Sequence, residues 1–128
     1  MDKKLQDKLA KKYPNIYDSY YCIECDDGWY DLIDRLSEKL SKLCLPNGNI
    51  VSIKAKQVKE KFGSLRYYYW TEPDSQNSVI WDIISEYEGE STKICQHCGS
   101  RENVEHKSYN WYIDTRCKKC DEGYNENN

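Results

Sequence analysis

Cys95-Gln96-His97-Cys98 and, after an interval of eighteen residues, Cys117-Lys118-Lys119-Cys120 form two tight pairs with the spacing Cys-x2-Cys-x18-Cys-x2-Cys. Four thiolates so spaced can close a tetrahedral shell around one zinc ion without help from the rest of the chain. Gly99 directly follows the first pair and suits a knuckle that must turn its backbone through positive φ. The alternatives are two disulfides or four unpaired thiols. A complete thiolate shell leaves no coordination position for water, so the expected ion, a single Zn2+, is structural and not catalytic. Between the pairs, residues 104–106 and 111–116 read as two short strands about a polar turn at 108–110, the layout of a zinc ribbon over residues 93–121. Residues 122–128 are polar, lack apolar anchors and read as a flexible tail.

Composition sets bounds on the rest. The 128 residues are 38% hydrophobic and 32% charged, with 12 Tyr and 4 Trp, so a small core leaning on aromatic rings is expected, with the metal supplying cross-links. A net charge of −3 argues against coating nucleic acid with the whole surface and leaves room for a local basic face. Seven cysteines, an odd number, and an N-terminus unlike a signal peptide point to reduced thiols and a cytoplasmic protein. No apolar run is long enough to span a bilayer.

Residues 1–92 read as an α+β core, a small antiparallel sheet built on a central hairpin and packed with two to three helices. Asp2 to Lys12 is a short amphipathic helix carrying Leu5 and Leu9, stopped by Pro14, and residues 15–21 read as irregular. Cys22-Ile23-Glu24-Cys25 is a third Cys-x2-Cys pair, open to three readings: a second metal site completed from Cys44, His97 or His106, a redox pair, or inert thiols. Asp26-Asp27-Gly28 starts the main helix, in which Trp29, Leu32, Ile33, Leu36, Leu40 and Leu43 share one face; Pro46-Asn47-Gly48-Asn49 ends it. Trp29 is either plain core or an aromatic wall at a helix N-terminus that favours anions. After Pro73-Asp74-Ser75 a second helix carries Val79, Ile80, Ile83, Ile84 and Tyr87 on one stripe and closes at Gly89, while Trp81 falls off the stripe toward some second element.

Between the helices the period becomes two. Val51, Ile53 and Ala55 share a face, and the alternation slips near Gln57-Val58, where a β-bulge would restore it. Gly63-Ser64 reads as a two-residue hairpin turn, pairing Lys61 with Arg66 and Val58 with Tyr69. Phe62, Val58, Leu65, Tyr67 and Tyr69 then face the core with Glu60 as an exception, and Lys59, Lys61, Arg66, Tyr68 and Trp70 face the other way. Like charges directly opposed on a hairpin destabilise it by up to about 1 kcal/mol, so something negative is expected there. That is either the chain's own carboxylates or the phosphate of a ligand whose ring stacks on Tyr68 or Trp70. A lysine-rich edge that merely prevents strand pairing is a third account. The candidate ligand-binding set is Lys59, Lys61, Arg66, Tyr68, Trp70 and Trp29.

Catalytic signatures are sparse. Neither knuckle follows proline and His106 is not followed by x-Glu, which removes the zinc deaminases. A degenerate His-centred nuclease finger, suggested by Cys95-x-x-Cys98-Gly99 followed by Val104-Glu105-His106, lacks a further metal-site histidine. No phosphate-binding Gly-rich loop or nucleophile elbow occurs.

Asp27-Gly28-Trp29, then Val58-Lys59-Glu60-Lys61-Phe62-Gly63-Ser64-Leu65-Arg66-Tyr67, then Cys95-x-x-Cys98-Gly99 and the late cysteine pair together resemble a family of small proteins encoded by bacteriophages and prophages. The resemblance covers roughly Cys25 to Cys120, and the segment from Lys61 to Arg66 is its specific part; Cys22 lies outside it. The family carries no settled activity, so the resemblance implies a viral or prophage origin and little mechanism; small, non-enzymatic phage proteins of the host cytoplasm commonly act by binding, whether blocking a host protein, gripping nucleic acid or sequestering a nucleotide immune signal. A compact cluster of cations with an aromatic ring suits one phosphorylated ligand better than a long polymer. The leading expectation is therefore a zinc-stapled, non-enzymatic protein holding a small anionic, nucleotide-like molecule. The rival is an adaptor whose zinc ribbon contacts a host protein or nucleic acid.

Overall fold

The computed structural model describes residues 1–18, 22–44, 50, 52–72, 74 and 77–126. The expected break at 46–49, Val51, and the Pro73 and Ser75 signals lie outside the described residues. Among the described residues the architecture is α+β, with a three-stranded sheet, a separate two-stranded hairpin and five α-helices.

Helix α1 (Lys3–Lys12) begins where the Asp2 side chain accepts from the Lys4 amide, and it buries Leu9. Pro14 does more than stop α1, since it opens a one-turn helix, α2 (Pro14–Tyr17), where a missing N–H costs nothing. This turn, within a stretch expected to be irregular, buries Ile16 and Tyr17. A 3-10 turn, Asp27–Trp29, leads into α3 (Tyr30–Leu43), whose buried Leu32, Ile33, Leu36 and Leu40 form the expected stripe. Ser37 sits among them with its hydroxyl spent locally: Oγ donates to the Ile33 carbonyl and lies 2.6 Å from the Tyr17 hydroxyl, itself 2.9 Å from that of Tyr67. This buried chain ties α2, α3 and the sheet together without leaving an orphaned polar atom.

The sheet runs β1-β2-β3. Strand β1 (Ile23–Glu24) lies within the third cysteine pair and is parallel to β2 (Ser52–Lys61), Ile23 beside Val58. Strands β2 and β3 (Ser64–Glu72) form the expected hairpin, with the register shift at Lys56, between Ala55 and Gln57. The turn itself falls one residue earlier than expected. Phe62 and Gly63 occupy it, with φ of 54° and 77°, and Lys61 faces Ser64. Two successive positive φ angles are those of a type I′ turn, whose twist matches the right-handed twist of the flanking strands. Each strand slips by one residue, two in the pairing, so every strand side chain keeps its expected face while the partners change. Lys59, and not Lys61, directly opposes Arg66. Phe62 leaves the core side altogether and stands 63% exposed. Glu60, the odd acid on the core side, accepts from the Gly63 amide at 2.7 Å and caps the turn.

Helix α4 (Asn77–Ser91) lies along the outer edge of β3. Edge strands carry unpaired amides that invite other chains. Here the Ser91 hydroxyl accepts from the Leu65 amide at 2.9 Å and Glu88 Oε2 from the Tyr67 amide at 2.8 Å. Ile80 and Ile84 are buried, but Val79, expected on the same stripe, is exposed, and Gly89 lies within the helix instead of closing it.

The C-terminal ribbon comprises β4 (Val104–Tyr109) and β5 (Tyr112–Cys117), joined by Asn110 and Trp111, one step later than the expected turn. Helix α5 (Lys118–Glu126) follows directly, where a loose tail was expected. Its first turn carries Cys120, so the second cysteine pair anchors a helix that has little apolar surface of its own.

Candidate metal centre and binding cleft

The first knuckle closes on itself, with the Gly99 amide donating to the Cys95 carbonyl at 2.9 Å and the Cys95 amide to the Ser100 carbonyl at 2.8 Å. Gly99 takes φ of 83°, and a Cβ there would sit 3.2 Å from the Gly28 carbonyl oxygen. The sulfurs of Cys95, Cys98, Cys117 and Cys120 all lie within 4.8 Å of one another. The Cys98 and Cys117 sulfurs are 3.7 Å apart, far beyond a disulfide bond of about 2.0 Å. A tetrahedral ion with metal–sulfur bonds of about 2.3 Å requires sulfur pairs about 3.8 Å apart, so the donor set fits one metal ion. Burial raises the Cys95 thiol, but the amides of Cys117, Cys98 and His97 outweigh it and bring the thiol down to about 7. Cys98 and Cys120 are pushed up, by burial first and then by their sulfur neighbours. A cation among four crowded thiols removes that conflict by favouring the thiolate at each.

A polar cluster surrounds the centre. His97 presents Nε2 to Asp114 at 2.7 Å and Nδ1 to Asp26 at 2.8 Å. Two carboxylates favour the imidazolium, and its pKa rises, chiefly through the Asp114 hydrogen bond. Burial alone would raise the Asp114 carboxyl, yet His97, the Thr115 amide and Arg116 bring it below the usual range. Arg116 is buried, donates to Asp114 and Asp121 at 3.1 Å and to the Tyr112 hydroxyl at 2.7 Å, and lies 3.9 Å from the Tyr109 ring centre. A ribbon too small for an apolar core is filled by a paired charge network.

The ribbon docks on the α+β core at two glycines. Gly28 donates to the Gln96 carbonyl at 2.8 Å, and a Cβ there would come 2.5 Å from that carbonyl carbon and closer still to two carbonyl oxygens. The Trp29 indole donates to the Ile94 carbonyl at 2.9 Å, and the whole ring is buried. Trp29 is therefore a core anchor and is removed from the candidate ligand-binding set. At the second point Thr115 Oγ1 donates to the Gly63 carbonyl at 2.6 Å, and His106 Nδ1 lies 2.7 Å from the same hydroxyl. With the hydroxyl proton committed to Gly63, Nδ1 must be the protonated nitrogen of His106.

The hairpin face is accessible. Lys59 and Arg66 are directly opposed, and neither they nor Lys61 has a carboxylate oxygen within 4.0 Å among the described residues. Lys61 and Arg66 open on a cleft of about 590 Å³ between the hairpin and α4, together with Lys56, Phe62, Tyr68, Trp81 and Glu88. Lys59 and Trp70 lie on the same sheet face outside this cleft. Lys56, Phe62, Trp81 and Glu88 are additions to the expected set. The off-stripe position of Trp81 was their one signal in the sequence; it is 60% exposed and lies across the cleft from the strands.

Among the described residues no second group of metal ligands forms around Cys22, Cys25 or His106. Cys25 is buried, which lifts its thiol to about 12, whereas Cys22 is exposed. Among the described residues no helix is long and apolar enough to cross a membrane. No protein-family model, curated protein or solved structure matches this chain.

Proposed function

We propose that this protein is a zinc-pinned, non-enzymatic binding protein that holds a small anionic, nucleotide-like ligand in the cleft beside its basic hairpin. Zinc is the ion whose structural sites are closed shells of four thiolates, and here it would cross-link the ribbon on which the hairpin turn rests. The observation that carries the reading is that Lys61 and Arg66 line one cleft, with no ion-pair partner among the described residues, beside the exposed rings of Phe62, Tyr68 and Trp81. Its volume is within the range of small-ligand sites, and a chain of net charge −3 favours a compact anion over a nucleic-acid polymer. Joined to the prophage origin that the sequence resemblance implies, the reading makes the protein a sequestering agent for a host nucleotide signal.

Thermal denaturation with a panel of nucleoside phosphates is the test. Ligands should raise the midpoint of the wild type, Arg66→Glu should abolish the shift, and zinc content should stay at one per chain in both. Nucleotide stabilisation that survives Arg66→Glu would sink the proposal.

One observation favours a second reading. Trp111, at the ribbon turn, is 97% exposed beside the partly exposed Tyr112 and Ile113, as expected of an adaptor that docks its ribbon on a host protein. In that case Trp111→Ser would abolish partner capture and nucleotides would do nothing.

A further inference from the structure

Glu88 is a carboxylate set among cations, in a cleft read above as a site for an anion. One of its oxygens is committed: Oε2 accepts from the Tyr67 amide at 2.8 Å and so closes the edge of β3. The other, Oε1, makes no hydrogen bond to any described residue. Arg66 acts on this carboxylate through space but does not reach salt-bridge distance. The group is half-buried, and that burial raises its pKa. An acceptor held by its backbone partner and stripped of part of its water is poised for a donor from outside the chain. Lys61 and Arg66 lie in the same cleft, so a ligand that reaches all three must carry a negative end and a hydrogen-bond donor. The exposed rings of Phe62 and Trp81 add a third requirement, a flat group.

Resting on the anion-binding reading, we propose that Glu88 sets the specificity of the cleft, which takes a nucleotide whose base bears an exocyclic amine. The phosphate lies against Lys61 and Arg66, the base packs on the aromatic rings, and the amine donates to Glu88 Oε1. A keto group at that position would set its oxygen against the carboxylate, and the base would have to shift from the rings to bring its neighbouring ring N–H to Oε1 instead.

Isothermal titration calorimetry with CMP against UMP and AMP against IMP tests this, because each pair exchanges an exocyclic amine for a keto oxygen, with a proton added to the adjoining ring nitrogen. Ribose 5-phosphate serves as the probe without a base. The wild type should prefer the amine-bearing member of each pair by roughly tenfold, the worth of one well-placed hydrogen bond to a charged group. Glu88→Gln keeps a carbonyl for the Tyr67 amide and presents an amide N–H2 to the ligand, so it should erase or reverse the preference, while ribose 5-phosphate should bind at least as tightly because a negative charge that acts on Arg66 is gone. Equal binding of both members by the wild type, or an unchanged preference in Glu88→Gln, overturns the role of Glu88 yet leaves an Arg66-dependent anion site standing. If neither the nucleotides nor ribose 5-phosphate bind the wild type, the anion site falls as well.

Discussion

The Thr115 hydroxyl donates to the Gly63 carbonyl across 2.6 Å, joining the metal-bearing ribbon to the turn of the central hairpin. Thr115 lies two residues before Cys117 and is fully buried; Gly63 follows Phe62, which lines the cleft. Replacing Thr115 with Val keeps the shape but leaves the Gly63 carbonyl and His106 without their partner. The expected loss is about 1–3 kcal/mol, read as a lower urea midpoint at unchanged slope. An unchanged midpoint would mean that water replaces the hydroxyl and that the two parts are not coupled here.

Metal removal should be felt well beyond the ribbon. Structural zinc contributes on the order of 10–16 kcal/mol in small finger peptides, comparable to the entire stability of a domain, about 5–15 kcal/mol. Since the ribbon contacts both the start of α3 and the hairpin turn, chelation should unfold β4 and β5 and lower the melting temperature of the whole chain. Amide exchange at Leu65 and Tyr67 in the presence of a chelator distinguishes the outcomes. Full protection there would show that the α+β core stands without its ribbon.

Gly28 offers a sharper test of the docking. Its neighbours are backbone carbonyls, which cannot swing aside as a side chain can. Gly28→Ala should therefore cost about 3 kcal/mol or more, whereas Gly89→Ala, where an added Cβ meets nothing within 4 Å, should be neutral or slightly stabilising. Soluble yield and thermal midpoint report both.

What could be read from the chain beforehand was whatever depends on local spacing. The cysteine intervals, the stripe from Leu32 to Leu40 and the two faces of the hairpin are set by periods of 3.6 and 2, which a sequence carries openly. The features that escaped are set by distant partners. Phe62 takes a positive φ, against its own preference, where Glu60 caps Gly63 and the ribbon packs on that glycine through His106 and Ile113. Glu88 is one of several acids near the end of α4, and its task of closing the strand edge exists only because α4 lies along β3. What makes Trp29 core and not site is its indole N–H donated to Ile94, a partner sixty-five residues away. The short β1 pairs with a strand more than thirty residues away, and no local pattern announces it. Even the segments Asp27-Gly28-Trp29, Phe62-Gly63 and Cys95-x-x-Cys98-Gly99, separate in sequence, have a common task, since each takes part in docking the ribbon on the core, to which the Arg101–Glu90 ion pair adds a contact with α4.

Phe62 sets stability against function at one position. A bulky residue at φ of 54° costs about 1–2 kcal/mol relative to one that tolerates the left-handed region, and a ring 63% exposed recovers little of that by burial. Asn-Gly is the pair such a turn prefers, so Phe62→Asn should raise stability by about 1 kcal/mol and the melting temperature by several degrees. The same change removes one of the rings that line the cleft. Nucleotide affinity should therefore fall several-fold while ribose 5-phosphate affinity holds, since stacking acts on the base alone. A variant that is more stable and also binds nucleotides undiminished would show that Phe62 has no part in the site. A variant that is less stable would show instead that the ring is held against the protein in solution.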